Sequence, residues 1–380
     1  MSEPVYLDYN ATTPIAPEVA AAMLPFLQTE FGNPSSAHER GERARHAVAA
    51  ARAELAQLLG AQTDEMVFTG SATEANNLAL LGVARALPHK RHIVISAIEH
   101  PAVMQPALYL RELSWDVSIV AVDATGRVDP ADIAAVLRPD TALVSVMHAN
   151  NEVGTLQPVA EIAALAHANG SLMHTDAAQS AGKLALDVDS LGVDLLTLAG
   201  HKFYAPKGIG ALYVRRGTPL KPILFGADQE HNLRPGTENI PHIVGIGTAA
   251  RLARERLPAA RHTLAKMRDD LHQRLLAAIP GLQLNGHPEQ RLPNTLHVSF
   301  PAVSGRDLLA ACAEWVSASV GSACHARAHA DAVSGVLAAM CCDPARARGA
   351  VRLSVGHDTT AADIETAAEA LIDAWRRLTT

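Results

Sequence analysis

The residue with the most reactive setting in this sequence is Lys202. The run Leu195 to Ala199 is short and apolar and reads as a buried strand, which breaks at Gly200 to present His201 and Lys202. Pro206, Gly208 and Gly210 follow, then a second apolar run from Ala211 to Val214. An amine at the tip of a buried strand, beside glycines that permit close backbone approach, is placed to lose water. Desolvation lowers its pKa and makes it a nucleophile toward aldehydes. An isolated Gly-His-Lys is more often a surface turn with a solvated lysine, ionised up to pH ~10.4. Its neighbours in the sequence decide between the two.

Unusual polar groups recur where other apolar runs end. Thr69 to Thr73 offers small residues at a helix start, where backbone N–H groups and a hydroxyl suit an anion. Glu99-His100-Pro101 follows Ser96, and His148 to Gly154, with Asn150 and Asn151, follows Met147. Asp176 to Gln179 follows Thr175. Taken singly, Thr73 reads as a helix cap, His100 as a satisfied histidine and Asp176 as a turn residue. Five such coincidences on consecutive strand ends are hard to attribute to packing. Together they supply an anion cradle, an imidazole, a carboxylate, amides and a lysine. Pyridoxal phosphate chemistry needs this set: a lysine for the aldehyde, a carboxylate that keeps the pyridine nitrogen protonated, and a helix N-terminus for the phosphate.

The elements that position these groups alternate along the chain. Helices are expected over 17–27 and 37–59, the latter closed by Gly60. Strands are expected over 66–69, 92–96, 117–122, 142–147 and 171–175, with helices opening near Gly70, Asp129 and Pro158. Such alternation implies parallel crossover units with helices on both faces of a sheet, and ligands at the carboxyl ends of its strands. From about Ile240 to Ile279 the pattern turns helical and charged, a segment able to leave one domain and enter another. Strands over 294–300, near Val316 and over 350–355 follow, with helices over 304–313 and 360–378.

The 380 residues suit one large domain with a smaller one, and 48% hydrophobic residues suffice for a sizeable core. A net charge of −7 without a basic cluster argues against direct nucleic-acid binding. No apolar run approaches the ~18 residues of a membrane span. The opening Met-Ser-Glu-Pro has neither a basic start nor an apolar core, so no secretion signal is expected. The four cysteines, Cys312, Cys324, Cys341 and Cys342, form no C-x-x-C pair and no metal-ligand spacing, so no metal is expected. A reduced cytoplasmic compartment is the economical inference.

The chain resembles the cysteine desulfurases and the related selenocysteine lyases, class-V, fold-type I pyridoxal phosphate enzymes. The resemblance covers essentially the whole chain. It is carried by Tyr6 to Pro14, Gly32 to His38, Ala72 to Asn77, Glu99 to Val103 and Ala149 to Gly154. His174 to Gln179, Gly200-His201-Lys202, Arg234 to Asn239, Gly321 to Cys324 and Val351 to Gly356 complete it. It implies an α/β fold: a large, mostly parallel-sheet domain over 15–255, and a smaller α+β domain built from 1–14 plus 256–380. It implies pyridoxal 5'-phosphate as cofactor, L-cysteine as substrate, a homodimer and a sulfur-acceptor protein.

The resemblance also implies roles. Lys202 is similar to the lysine that carries the cofactor, Asp176 to the partner of the pyridine nitrogen, and Gln179 to the residue bonding the ring hydroxyl. His100 resembles the histidine stacked on the ring. Thr73 and His201 resemble phosphate ligands, and Thr237 the phosphate ligand that reaches across from the second subunit. Asn151 and Arg352 resemble the groups that bind the substrate carboxylate, a task suited to bidentate arginine pairing.

Cys324 resembles the nucleophilic cysteine, which takes sulfur as a persulfide. The residues around it support this independently. Ser317 to His329 is small and polar, and His325, Arg327 and His329 supply positive potential that favours thiolate. Cys312 fits a buried structural role, and Cys341 and Cys342 carry no assigned role. A selenocysteine lyase and a non-catalytic binding protein on the same scaffold are the competing expectations. The acceptor expected of a desulfurase is an iron–sulfur scaffold, a tRNA-thiolating enzyme or a DNA-phosphorothioation system.

Overall fold

A computed structural model describes residues 3–321 and 334–380. In chain order the strands are β1 (Val5–Tyr6), β2 (Met66–Thr69), β3 (His92–Ser96), β4 (Asp116–Val120), β5 (Thr141–Ser145) and β6 (Leu172–Asp176). They continue with β7 (Leu195–Ala199), β8 (Gly210–Val214), β9 (Gln283–Leu284), β10 (Thr295–Ser299), β11 (Val316–Ser317) and β12 (Ala350–Ser354).

Seven of them form the main sheet, in the order β2-β8-β7-β6-β5-β3-β4. Its strands are parallel except β8, which runs antiparallel to both β2 and β7. The exception follows from the connection. Only Gly200 to Ile209 join β7 to β8, too few residues for the helical crossover that a parallel neighbour needs. Four of the seven strands are buried at every residue, and β6 and β8 at all but one. That is the pattern of a sheet covered on both faces, and it explains the continuous rather than alternating apolar runs.

Successive side chains point to opposite faces. Val94, Val144 and Leu196 join a core with the helices Glu39–Leu59 and Ile240–Ala278. Ile95, Leu143 and Leu195 join another with the helices Ala72–Ala86 and Pro101–Glu112. A three-stranded antiparallel sheet, β12-β10-β9, builds a separate core with the helix Ala361–Thr379. The 39-residue helix Ile240–Ala278 serves both, with Ile243 and Ala250 in the first core and Leu271 and Leu275 in the second.

The α/β class stands, and the differences from the expected elements are local. Strand and helix ends shift by at most two residues, as where β5 ends at Ser145 and the helix expected over 304–313 ends at Ala311. Cys312 therefore caps the helix Gly305–Ala311 instead of lying within it. Its buried thiol donates to the Leu308 carbonyl, and burial pushes its pKa up to about 11, as an inert structural cysteine requires. The helix Pro101–Glu112 was not expected. Pro106 inside it interrupts the helical signal, although Pro101 occupies a favourable first-turn position.

Candidate active site

The strand ends of the main sheet open onto one cavity of about 250 Å3, lined by Thr73, His100, Asn151, Asp176, Gln179, His201, Lys202 and Arg352. Eight of the ten expected site residues thus meet in one place. Thr237 is exposed and does not line the cavity of its own chain. Cys324 lies outside the described residues.

Asp176 ends β6 and is nearly buried. Its Oδ2 accepts from Asn76 Nδ2 at 2.7 Å and its Oδ1 from the Ala178 backbone N–H at 2.9 Å. Asn76 was not given a role from sequence. Its Oδ1 is buried without a partner in the structure, beside the cavity.

Lys202 leaves β7 through a tight 3-10 turn, Gly200–Lys202. Its Nζ donates to the backbone carbonyls of Asn10 at 2.6 Å and Ala11 at 2.8 Å. The neighbouring His201 bonds through Nδ1 to Thr12 Oγ1 at 3.2 Å. Burial first, and then the Lys202 charge, push His201 down to about 4, so its imidazole is neutral at pH 7.

His100 caps the helix Pro101–Glu112, its Nδ1 accepting from the Ala102 backbone N–H at 3.1 Å. The preceding residue, Glu99, is buried. Its Oε1 accepts from Ser96 Oγ at 2.5 Å and from the Met147 N–H at 2.9 Å, and burial pushes its carboxyl up to about 8. A neutral acid here avoids a second buried anion near Asp176.

Thr73 sits in the first turn of the helix Ala72–Ala86, capped by Ser71, whose Oγ accepts from the Glu74 N–H. The helix start presses on β8. A Cβ at Gly210 would stand 2.6 Å from the Ser71 carbonyl carbon, so glycine lets the strand pass beneath it.

Arg352, on β12, comes from the smaller sheet and is almost wholly buried. Nη2 pairs with Asp8 Oδ1 at 2.7 Å and Nη1 donates to the Asn151 carbonyl at 2.8 Å, while Nε is buried without a partner. Its backbone bridges to Ser319, three residues before the undescribed segment. On the far side of that segment, Ser334 Oγ bonds to Glu152, next to Asn151.

Asn10 ties the two sheets together, and sequence reasoning quoted it without giving it a role. Its carbonyl accepts from Lys202 and, at 3.0 Å, from Gln179 Nε2. Its side chain bonds Thr295 Oγ1 and Asn294 Nδ2, and its N–H donates to Ser354 Oγ. Asn10 lies in a compact polar segment between β1 and the first long helix. The wealth of hydrogen-bonding groups there was the available signal.

An ammonium, a buried carboxylate, a helix N-terminus and an arginine around one cavity fit pyridoxal phosphate. The partnerless Asn76 Oδ1 and Arg352 Nε show that polar capacity remains for a polar occupant. Fold and donor set together define an α/β enzyme of the pyridoxal phosphate class. The class-V aminotransferase profile matches residues 5–366. A protein named cysteine desulfurase IscS from Dictyoglomus turgidum is 43% identical over 366 residues, spanning 96% of this chain and 92% of its own. A solved NifS-like protein superposes with a TM-score of 0.91 at 36% identity, covering 99% of both chains. A structure described as SspA in complex with cysteine gives 0.83 at 36% identity, covering 93% of this chain and 99% of that one. The chain belongs to the class-V aminotransferase family of pyridoxal phosphate-dependent enzymes, in its cysteine desulfurase branch. No described helix is long and apolar enough to cross a membrane.

Proposed function

We propose that this enzyme converts L-cysteine to L-alanine, takes the sulfur on Cys324 as a persulfide and passes it to an acceptor protein. The observation that carries this reading is the single cavity lined by Lys202, Asp176, Gln179, His100 and Arg352. The solved relative in complex with cysteine supports the choice of substrate.

Lys202 would hold the cofactor, Asp176 its ring nitrogen and Gln179 its ring oxygen, with His100 against the ring and Thr73 and His201 at the phosphate. When bound, the cofactor supplies an electron sink that makes an amino acid's Cα proton labile and loosens its Cβ–S bond. Arg352 and Asn151 orient the substrate carboxylate. Lys202 or His100 moves the Cα proton. The Cys324 thiolate then attacks the substrate sulfur. An S–S bond forms as the Cβ–S bond breaks, the electron pair stays with the substrate carbon, and protonation of that carbon gives alanine.

Support for Cys324 comes from the described residues on either side of its segment. Ser319 is bridged to Arg352, and Ser334 is bonded to Glu152, so both flanks stand beside the cavity. The exposed position of Thr237 supports a homodimer in which it serves the partner's cavity. In this reading the chain divides into 15–255 and 1–14 plus 256–380, and the enzyme works in the cytoplasm without direct contact with nucleic acid or membrane.

Mass spectrometry of cysteine-containing peptides after one turnover tests the assignment. An added sulfur atom is expected on the Cys324 peptide. Sulfur on the Cys341-Cys342 peptide, with none on Cys324, would overturn it.

A further inference from the structure

Lys183 is a buried lysine for which no step above has a use. It is 6% exposed, and no carboxylate among the described residues pairs with it. Its Nζ donates to Gln179 at two points, the backbone carbonyl at 3.0 Å and the side-chain Oε1 at 3.1 Å. Gly182, in the left-handed conformation at φ 73° and close against Phe203, turns the chain so that Lys183 folds back.

A buried cation without an anion is costly, so a site that keeps one gains something by it. We propose that Lys183 is a positioning residue that locks the Gln179 side-chain amide with its N–H2 end available to the cavity. The lock works through complementarity. Gln179 Oε1 faces the Lys183 amine, which donates, and Gln179 Nε2 faces the Asn10 carbonyl, which only accepts. Turning the amide over would set oxygen against oxygen at Asn10 and N–H against N–H at Lys183. The amine needs two N–H groups for its two bonds, and it has them whether charged or neutral. A neutral amine also has a lone pair that accepts, so below about 7, the value to which burial and the Lys202 and Arg352 charges push it, the lock acts at both ends, and above it through the Asn10 carbonyl.

One N–H of the Gln179 amide is spent on Asn10, and the other is left for whatever occupies the cavity that Gln179 lines. A fixed donor there favours an oxygen carrying negative charge over a hydroxyl. This inference rests on the cofactor reading above, in which that oxygen belongs to the cofactor ring.

Reconstitution of apoenzyme with pyridoxal 5'-phosphate, and pH titration of the holoenzyme's visible absorption, test it in Lys183→Met, Gln179→Ala and the double variant. Lys183→Met should weaken cofactor binding about tenfold, the scale of one hydrogen bond, and move the spectral midpoint to higher pH. Gln179→Ala should do the same, and the double variant should be no weaker than Gln179→Ala alone. Lys183→Arg, which keeps donors, should restore the midpoint. If Lys183→Met fails to accumulate, Lys183→Gln reads the same shift, because its amide can accept as well as donate. Wild-type affinity and midpoint in the Lys183 variants, with Gln179→Ala impaired, would overturn the proposal. Full additivity in the double variant would do so too. An unimpaired Gln179→Ala would overturn the cofactor reading of Gln179, and this proposal with it.

Discussion

Lys202 and Lys183 are two amines on one hydrogen-bond chain, Lys202 donating to Asn10 and Lys183 to Gln179, which itself bonds Asn10, and their surroundings differ. Lys183 is the more deeply enclosed, and burial pushes it down to about 7, the value expected of an activated nucleophile. It does not line the cavity, and its two bonds go to Gln179. Lys202 is half-buried, lines the cavity, and hangs from backbone carbonyls supplied by a distant segment. The difference teaches that a lowered amine pKa marks burial, whereas access marks reactivity. Perturbed groups gather at functional sites, and in the proposed function geometry is what separates a reacting lysine from a supporting one.

The largest effect that separates the two lysines is on turnover. Lys202→Ala should reduce alanine formation by about 10^3-fold or more and abolish the cofactor's visible absorption. Lys183→Met should stay within about tenfold of wild type. Comparable losses from both would erase the distinction between reactive and supporting lysine. Next in size is the support they share. Asn10→Ala keeps the carbonyl that holds Lys202 but strips partners from buried Asn294 and Thr295. It should lower unfolding free energy by about 1–3 kcal/mol, read from the urea midpoint, with an unchanged midpoint counting against the network.

The acidic counterpart of Lys183 is Glu99, also pushed toward its neutral form by burial. Its carboxyl rises from 4.5 to about 8, so between those values the folded state holds a proton that the unfolded chain has lost. Stability therefore falls as pH climbs through that window. Glu99→Gln mimics the neutral acid and should flatten the fall. Relative to wild type it should be more stable at pH 8 than at pH 5, by about 1 kcal/mol or more. Equal differences at the two pH values would mean that Glu99 is ionised in the fold.

The lysine comparison also shows what the sequence could disclose. Lys202, Asp176, His100, Asn151 and Thr73 were legible as cavity-lining residues because each follows an apolar run, and a strand end is a local pattern. Arg352 and Thr237 were reached through resemblance, since nothing in their immediate context marks them. Asn10, Asp8, Asn76 and Lys183 were not legible as site residues. Their partners lie elsewhere in the chain, as with Asp8 and Arg352 at 344 positions apart, and no periodicity encodes such a contact. Lys183 is only four residues from its partner, yet a lysine after glycine reads as a solvated turn until its burial is known. The parallel sheet was legible from alternation, while the reversed β8 depended on a connection whose length alone gave it away.

Borohydride reduction of the holoenzyme, followed by peptide mapping, separates the two amines most directly, because reduction fixes the cofactor to the lysine that carries it. The cofactor mass is expected on the Lys202 peptide, with Lys183 unmodified. The cofactor on Lys183, or divided between the two lysines, would contradict the assignment of Lys202 as the reactive amine.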